Sequence, residues 1–320
     1  MPVIVKPLLP EQGEEALLFL QPYESECVNL ASEILRGSTD CWALYYAEPS
    51  QASGSIASQT SGTENESQCG EASQTKTLAG LFALRKKRSL FFCLPFAKYK
   101  SAFDKKVCSE AQRPLMEFFE SREPFCVNGE AAGAIFLRNI LKNKKSPMRP
   151  SVTNKYFLMV SGEALQDLNA GGGSGANCGL RVVQATAAEY ERLLPLELGY
   201  QREEVVPKSF DVSDAALAAA FKHELEQGLT FALFDGARPI AKARLAASGQ
   251  RYCMLGGVYT IPSERKKGRA AFLVSQIIAR SQAHGVNNFC LYAKQENAAA
   301  LALYKSLDFT PRGEYMLVYY

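Results

Sequence analysis

The sequence predicts an α/β (α+β) fold in two parts, and three observations carry that expectation. At 320 residues the chain exceeds the usual size of one domain. A glycine-rich stretch, NAGGGSGANCG at 169–179, has the composition of a flexible linker and divides the chain roughly in half. On either side of it, strand-like and helix-like segments follow in the same order, which reads as a structural repeat without evident sequence identity.

The second half is the more clearly punctuated. LRVVQA (180–185) reads as a strand, then TAAEYERLLPLELGY and SDAALAAAFKHELEQG as helices, the latter capped by Ser213 or Asp214 and stopped by Gly228. LTFALFDG, ARPIAKARLAAS and RYCMLGGVYT read as three strands, the first two joined at Asp235-Gly236, a hairpin-turn dipeptide. A helix from about Gly268 to His284 ends at Gly285. The strand NNFCLYA, a short helix from Asn297 to Leu307 and the paired end strands DFTPRG and EYMLVYY complete it. The first half runs in parallel. VIVKPL is a strand and helical material reaches about Arg36. CWALYYA, TLAGLFALRKK and SLFFCLPF are strands. A helical region around 103–121, broken at Pro114, precedes the strand PFCVNG, the helix EAAGAIFLRNILK and the strand NKYFLMV. Residues 49–77 are rich in Ser, Gln, Gly and Thr and poor in large apolar side chains, so they read as a disordered insertion at a hairpin tip.

Composition narrows the function classes. Hydrophobic content of 47% and charged content of 22% are ordinary for a globular protein. Net charge is only +3, and the basic clusters at 85–88 and 142–145 lack interleaved aromatics, so no nucleic-acid partner is expected. The N-terminus carries no signal-peptide pattern and no run is long enough to span a bilayer, so no membrane association is expected. The nine cysteines are scattered without metal-ligand spacing, which fits a reducing cytoplasm. With His223 and His284 the only histidines, neither a metal site nor histidine-based catalysis is expected.

The densest positive charge, Arg265, Lys266 and Lys267, stands directly before Gly268, where a strand stops and a helix starts. The first turn of a helix has unsatisfied N–H groups and a partial positive charge, which suits an anion. Gly268 lets a bulky anion approach the backbone. Taken alone, the pattern better describes a basic loop capping a solvated helix.

Its context is more specific. Val258-Tyr-Thr-x-Pro262 precedes the loop, and Asn297-Ala-Ala-Ala-Leu-Ala-Leu-Tyr304-Lys-Ser-Leu-Asp-Phe309 follows the next strand. Together they resemble the GCN5-related N-acetyltransferases (GNAT), with their V-x-T-x-P-x-x-R-x-x-G-x-A loop followed by N-x-x-A-x-x-L-Y-x-x-x-G-F. The likeness is strongest over 250–310, extends by element order over 180–320, and is closest to the FR47-like, glycine-acyltransferase-like branch. One departure is Asp308 where the family usually has Gly; Asp tolerates a left-handed turn. The resemblance implies two GNAT-like domains, each a mixed, mostly antiparallel twisted sheet flanked by helices. They would be a degenerate one at 1–160, a linker at 161–179 and an acetyl-CoA-binding one at 180–320. It also implies that the backbone of Arg265, Lys266, Lys267, Gly268, Arg269 and Ala270 holds the coenzyme A pyrophosphate. Val258 and Tyr259 would lie along the pantetheine arm, and Asn297 near it.

Tyr304 is the residue the family uses as general acid toward the leaving sulfur. Its seven-residue spacing from Asn297 puts both on one helical face, although a core aromatic would satisfy the same pattern. The departing thiolate, of pKa about 8.5, needs little help, whereas deprotonating a lysine-like amine costs about 4.6 kcal/mol at pH 7. A carboxylate is the usual remedy. Glu203 and Glu204 are the candidates, Glu204 being taken as the base; a solvated helix face is the alternative. The first half has neither the loop nor the tyrosine, so it is expected to wall the acceptor cleft, as in tandem proteins such as mycothiol synthase.

The expected activity is transfer of an acetyl group from acetyl-CoA to a primary amine by direct attack in a ternary complex. The acceptor would be a small-molecule or peptide amine, and the protein a monomer or homodimer. A non-catalytic acetyl-CoA-binding or scaffolding protein is the alternative. An aminoacyl-tRNA-dependent transferase is disfavoured, because such proteins generally lack the phosphate loop.

Overall fold

The structure, a computed structural model, describes residues 3–47, 76–86, 88–162, 179–207 and 209–320. The insertion expected at 49–77 lies outside the described residues except for Lys76 and Thr77, which open a strand; most of the expected linker lies outside them too.

The first half runs β1 (Val3–Pro7), α1 (Gly13–Leu20), α2 (Glu24–Leu35), β2 (Cys41–Ala47), β3 (Lys76–Arg85), β4 (Ser89–Cys93), α3 (Ala102–Phe119), β5 (Cys126–Glu130), α4 (Ala131–Asn143) and β6 (Val152–Ser161). The second repeats that order: β7 (Leu180–Gln184), α5 (Tyr190–Tyr200), α6 (Asp214–Glu226), β8 (Thr230–Asp235), β9 (Arg238–Ser248), β10 (Tyr252–Thr260), α7 (Arg269–Gln282), β11 (Asn288–Lys294), α8 (Ala298–Ser306) and β12 (Phe309–Tyr319). Local chemistry accounts for many boundaries. Ser213 caps α6, and Gly236 takes the left-handed conformation the β8–β9 turn requires. Asp308, standing where the resemblance expects Gly, has a φ of 58° and turns the chain from α8 into β12.

All the described strands join one 12-stranded sheet, in the order β1-β2-β3-β4-β5-β12-β6-β11-β10-β9-β8-β7. The halves exchange their last strands: β12 pairs with β5 of the first half, and β6 pairs with β11 of the second. β6 and β12 also pair with each other along nearly their whole length. In both halves a meander of antiparallel strands leads to one parallel pair, β4 with β5 and β10 with β11. Helices cover both faces. α3 and α4 pack against a core that includes Phe82, Phe92 and Phe119, and α1 and α2 cover the opposite face through Leu20, Leu30 and Ala31. α7 and α8 cover the second half through Leu273, Ile277 and Tyr304.

Two expectations need correction. α3 continues through Pro114 instead of breaking there, because Val107, Ala111, Leu115 and Phe119 keep one buried face on both sides of it. Burial outweighs the single hydrogen bond the proline forgoes. DFTPRG and EYMLVYY form not two paired strands but one long strand, β12, with an irregularity between Pro311 and Gly313. Its partners are β6 and β5, which no local pattern announces.

Candidate functional site

The parallel pair β10–β11 is hydrogen-bonded only from Tyr252↔Asn288 to Met254↔Cys290, after which the strands diverge. A bulge in β10 assists the divergence. Between the Arg244↔Gly256 and Lys242↔Tyr259 pairs, β10 has two residues, Gly257 and Val258, where β9 has one. Gly257 sits at φ 59°, as such a bulge favours. The β10 backbone around Val258 therefore faces a gap, not a ladder partner on β11.

Two cavities meet in that gap. One, of about 530 Å³, runs from Val258 and Tyr259 to the α7 N-terminus. Of the loop residues singled out from the sequence, Arg265, Lys266, Gly268, Arg269 and Ala270 line it, whereas Lys267 does not and instead pairs with Glu264 at 3.2 Å. Gly268 is the N-cap of α7 at φ 72°, with no side-chain cap, and a Cβ added there would meet nothing within 4 Å. The first-turn N–H groups of α7 thus open onto space an anion could fill. The loop cations are not idle. Arg265 donates to Glu203 Oε2 (2.7 Å) and to the Thr260 carbonyl (2.9 Å), and Arg269 pairs with Glu264 at 3.5 Å.

The second cavity, of about 400 Å³, lies at the junction of the halves. Asn29, Arg85, Phe91 and Asn128 of the first half line it, opposite Tyr200 and Arg244 of the second. Residues of both halves thus wall this cavity. The sequence reading missed these individual residues, because nothing local marks a side chain that faces the other half.

Glu204, Val258, Asn297, Ala300 and Tyr304 line both cavities. Asn297 caps α8 through Oδ1, which accepts from Ala300 N (3.0 Å), and its Nδ2 donates to Glu204 Oε1 (3.3 Å). Lys294 stands 3.5 Å from the other Glu204 oxygen. Glu204 and Glu203 lie on a π-helical turn, Gln201–Val205, that continues α5 and points them at different partners. Glu203 accepts from Tyr259 (2.8 Å) and Arg265. Burial would raise its pKa, but those two hydrogen bonds outweigh burial and hold it below the usual value. Glu203 is committed to the loop, which leaves Glu204 as the carboxylate at the junction.

Tyr304 is buried, packs edge-on against Phe309 (centroids 6.0 Å apart), and its hydroxyl has no hydrogen-bond partner among the described residues. Burial foremost, then Tyr200 and Glu204, pushes its pKa well above the ordinary 10. The phenol thus stays protonated at neutral pH.

Residues 191–309 match the model of the acetyltransferase (GNAT) family. A Drosophila protein superposes over 99% of this chain and 98% of its own with a TM-score of 0.56 at 12% identity. An acetyltransferase of the GNAT family from Colwellia psychrerythraea does so over 100% and 99%, with a TM-score of 0.53 at 10% identity. A GNAT-family structure from Novosphingobium aromaticivorans is 20% identical, but over 53% of this chain and 65% of that one, at a TM-score of 0.38. No curated protein matches the chain. The fold over the whole chain is thus that of GNAT structures, and the family match covers most of the second half. Among the described residues no helix is long and apolar enough to cross a membrane, and no three His, Cys, Asp or Glu gather as a metal site.

Proposed function

We propose that the protein is a cytoplasmic acetyl-CoA-dependent N-acetyltransferase of tandem GNAT-like build. In this reading 1–160 is a degenerate copy, 161–179 a linker and 180–320 the acetyl-CoA-binding domain, of the FR47-like, glycine-acyltransferase-like branch. The meeting of the two cavities at Glu204, Val258, Asn297 and Tyr304 carries the reading. The larger cavity offers phosphates the α7 N-terminus and offers an extended amide arm the unpaired β10 backbone at Val258. The smaller one receives the amine.

The amine lone pair attacks the thioester carbonyl carbon, the C–S bond breaks, and the sulfur leaves as thiolate. Glu204, directly or through water, takes the proton the amine must lose. Tyr304 donates a hydrogen bond to the developing thiolate. Full proton transfer from a phenol above pKa 10 to a thiolate near 8.5 is uphill by at least about 2 kcal/mol, so solvent completes the protonation. A merely coenzyme-binding protein would have no use for the second cavity or for a carboxylate at its boundary. Titration calorimetry with acetyl-CoA, followed by thiol release on a panel of small and peptide amines, tests the reading. Absence of binding at millimolar acetyl-CoA would remove it.

A further inference from the structure

Lys242 on β9 is 1% exposed, and Glu197 on α5, which faces it, is 2% exposed. The Lys242 ammonium lies 2.5 Å from Glu197 Oε2, 4.5 Å from the centre of the Tyr200 ring, and donates to the Gly257 carbonyl at 3.2 Å. The other Glu197 oxygen accepts from Gln201 Nε2 at 2.6 Å, and Gln201 opens the π-helical turn that carries Glu203 and Glu204. One buried cation therefore touches both the bulge that shapes the β10 edge and, through one carboxylate, the turn that presents the carboxylates. Arg244, two residues along β9, repeats the pattern: it pairs with Glu224 on α6, and its side-chain stem lies 3.2 Å from where a Gly257 Cβ would stand.

A buried ion pair is a poor device for stability alone, since apolar residues of similar volume often do as well or better. What an apolar pair cannot supply here is a donor. The bulge takes the Gly257 carbonyl out of the β9–β10 register, and a buried carbonyl without a partner is costly. We infer that Lys242 is a positioning residue: with Glu197 it locks the Gly257 bulge and the 201–205 turn into one arrangement. The inference rests on the reading of the cleft as an acetyl-CoA site. It adds that the edge along which the thioester arm lies and the carboxylate at the acceptor side are held in register by a group that touches neither substrate.

The test is the double variant Lys242→Met/Glu197→Leu, which removes both charges and so avoids the stranded carboxylate that Lys242→Met alone would leave. Its melting temperature is expected within a few degrees of the parent. Amide hydrogen exchange is expected to accelerate at least tenfold at 257–260 and at 201–205, and acetyl-CoA affinity to fall at least tenfold. Should that variant fail to fold, Gln201→Ala serves. It cuts only the link to the turn, so exchange should accelerate at 202–206 and stay parental at 257–260. Parental exchange at both segments in the double variant, or no change in the turn in Gln201→Ala, overturns the inference. If the parent does not bind acetyl-CoA, the proposed function falls, while the exchange data still decide the role of Lys242.

Discussion

The two halves share an element order and a pairing scheme, yet corresponding positions are built to opposite ends. α7 of the second half begins at Gly268 with no side chain over its N-terminus. α3 of the first half begins at Ser101, which accepts from Asp104 N (3.0 Å) while the Asp104 carboxylate accepts from Ser101 N (2.9 Å). That capping box takes up two of the donors at the helix start and sets a carboxylate beside the rest. In the second half β10 and β11 part around an open gap; in the first half the Phe92 ring lies against Gly129 of β5 and Gly133 of α4, so close that a Cβ at either glycine would overlap it. α4 is capped by Glu130, which accepts from Ala132 N and Gly133 N, each at 3.1 Å; α8 is capped by Asn297, whose amide still reaches Glu204. The same scaffold is closed for packing in one half and left open in the other.

The largest effect that could break this contrast is expected at Phe92. Phe92→Ala should cost about 3–5 kcal/mol, the usual range for emptying a buried aromatic site, read as a fall in the chemical denaturation midpoint. It should not create a second acetyl-CoA site, because α3 remains capped. A binding stoichiometry of two would show that the plug alone separates the halves. Next, Tyr304→Phe should lower turnover about ten- to a hundredfold, no more than the foot of the range for a positioned acid because the phenol donates only a hydrogen bond, and leave acetyl-CoA affinity unchanged. Unchanged turnover would make Tyr304 a packing residue, as Phe92 of the first half is.

At the helix N-termini the two halves should respond differently. Gly268→Val places a β-branched residue at φ 72° and should weaken acetyl-CoA binding at least tenfold, about 1.4 kcal/mol, by calorimetry. The matching change in the first half, Ser101→Ala, should cost about 1 kcal/mol of stability and no affinity. Loss of affinity there would mean the capped end also serves the ligand. The smallest effect is expected from Glu203→Gln, which frees Arg265 and removes a negative charge facing the phosphates. Acetyl-CoA should bind a few-fold tighter, and the gain should shrink at high salt. The Glu203 pKa is lowered in the folded protein, so its hold on Arg265 is fully present above the usual 4.5 and is lost only as pH falls through the lowered folded value. Parent and variant should therefore converge in acid.

By itself the sequence determined the repeated order of elements, because apolar periodicity, Gly stops and caps such as Ser213 act over a few residues. It determined the α7 loop and the Asn297–Tyr304 face for the same reason: a helix N-terminus and a two-turn spacing are local geometry. At Asp308 a left-handed turn could be expected because the resemblance places Gly there and Asp tolerates that conformation. The tertiary structure decided what depends on distant partners. Nothing within β12 says that it joins β5 and β6, so it read as two end strands. Pro114 lost its veto over α3 because side chains elsewhere bury both turns beside it. Glu203 and Glu204 are adjacent and alike in sequence, and only the π-helical turn, with Tyr259 and Arg265 on one side and Asn297 on the other, gives them different partners. Lys242 is one of three cations on β9, with Arg238 and Arg244, and its significance lies in Glu197, Gly257 and Gln201, which the chain brings to it only on folding. Contacts between segments far apart in sequence leave no period to read, and the cavity at the junction of the halves is made almost wholly of them.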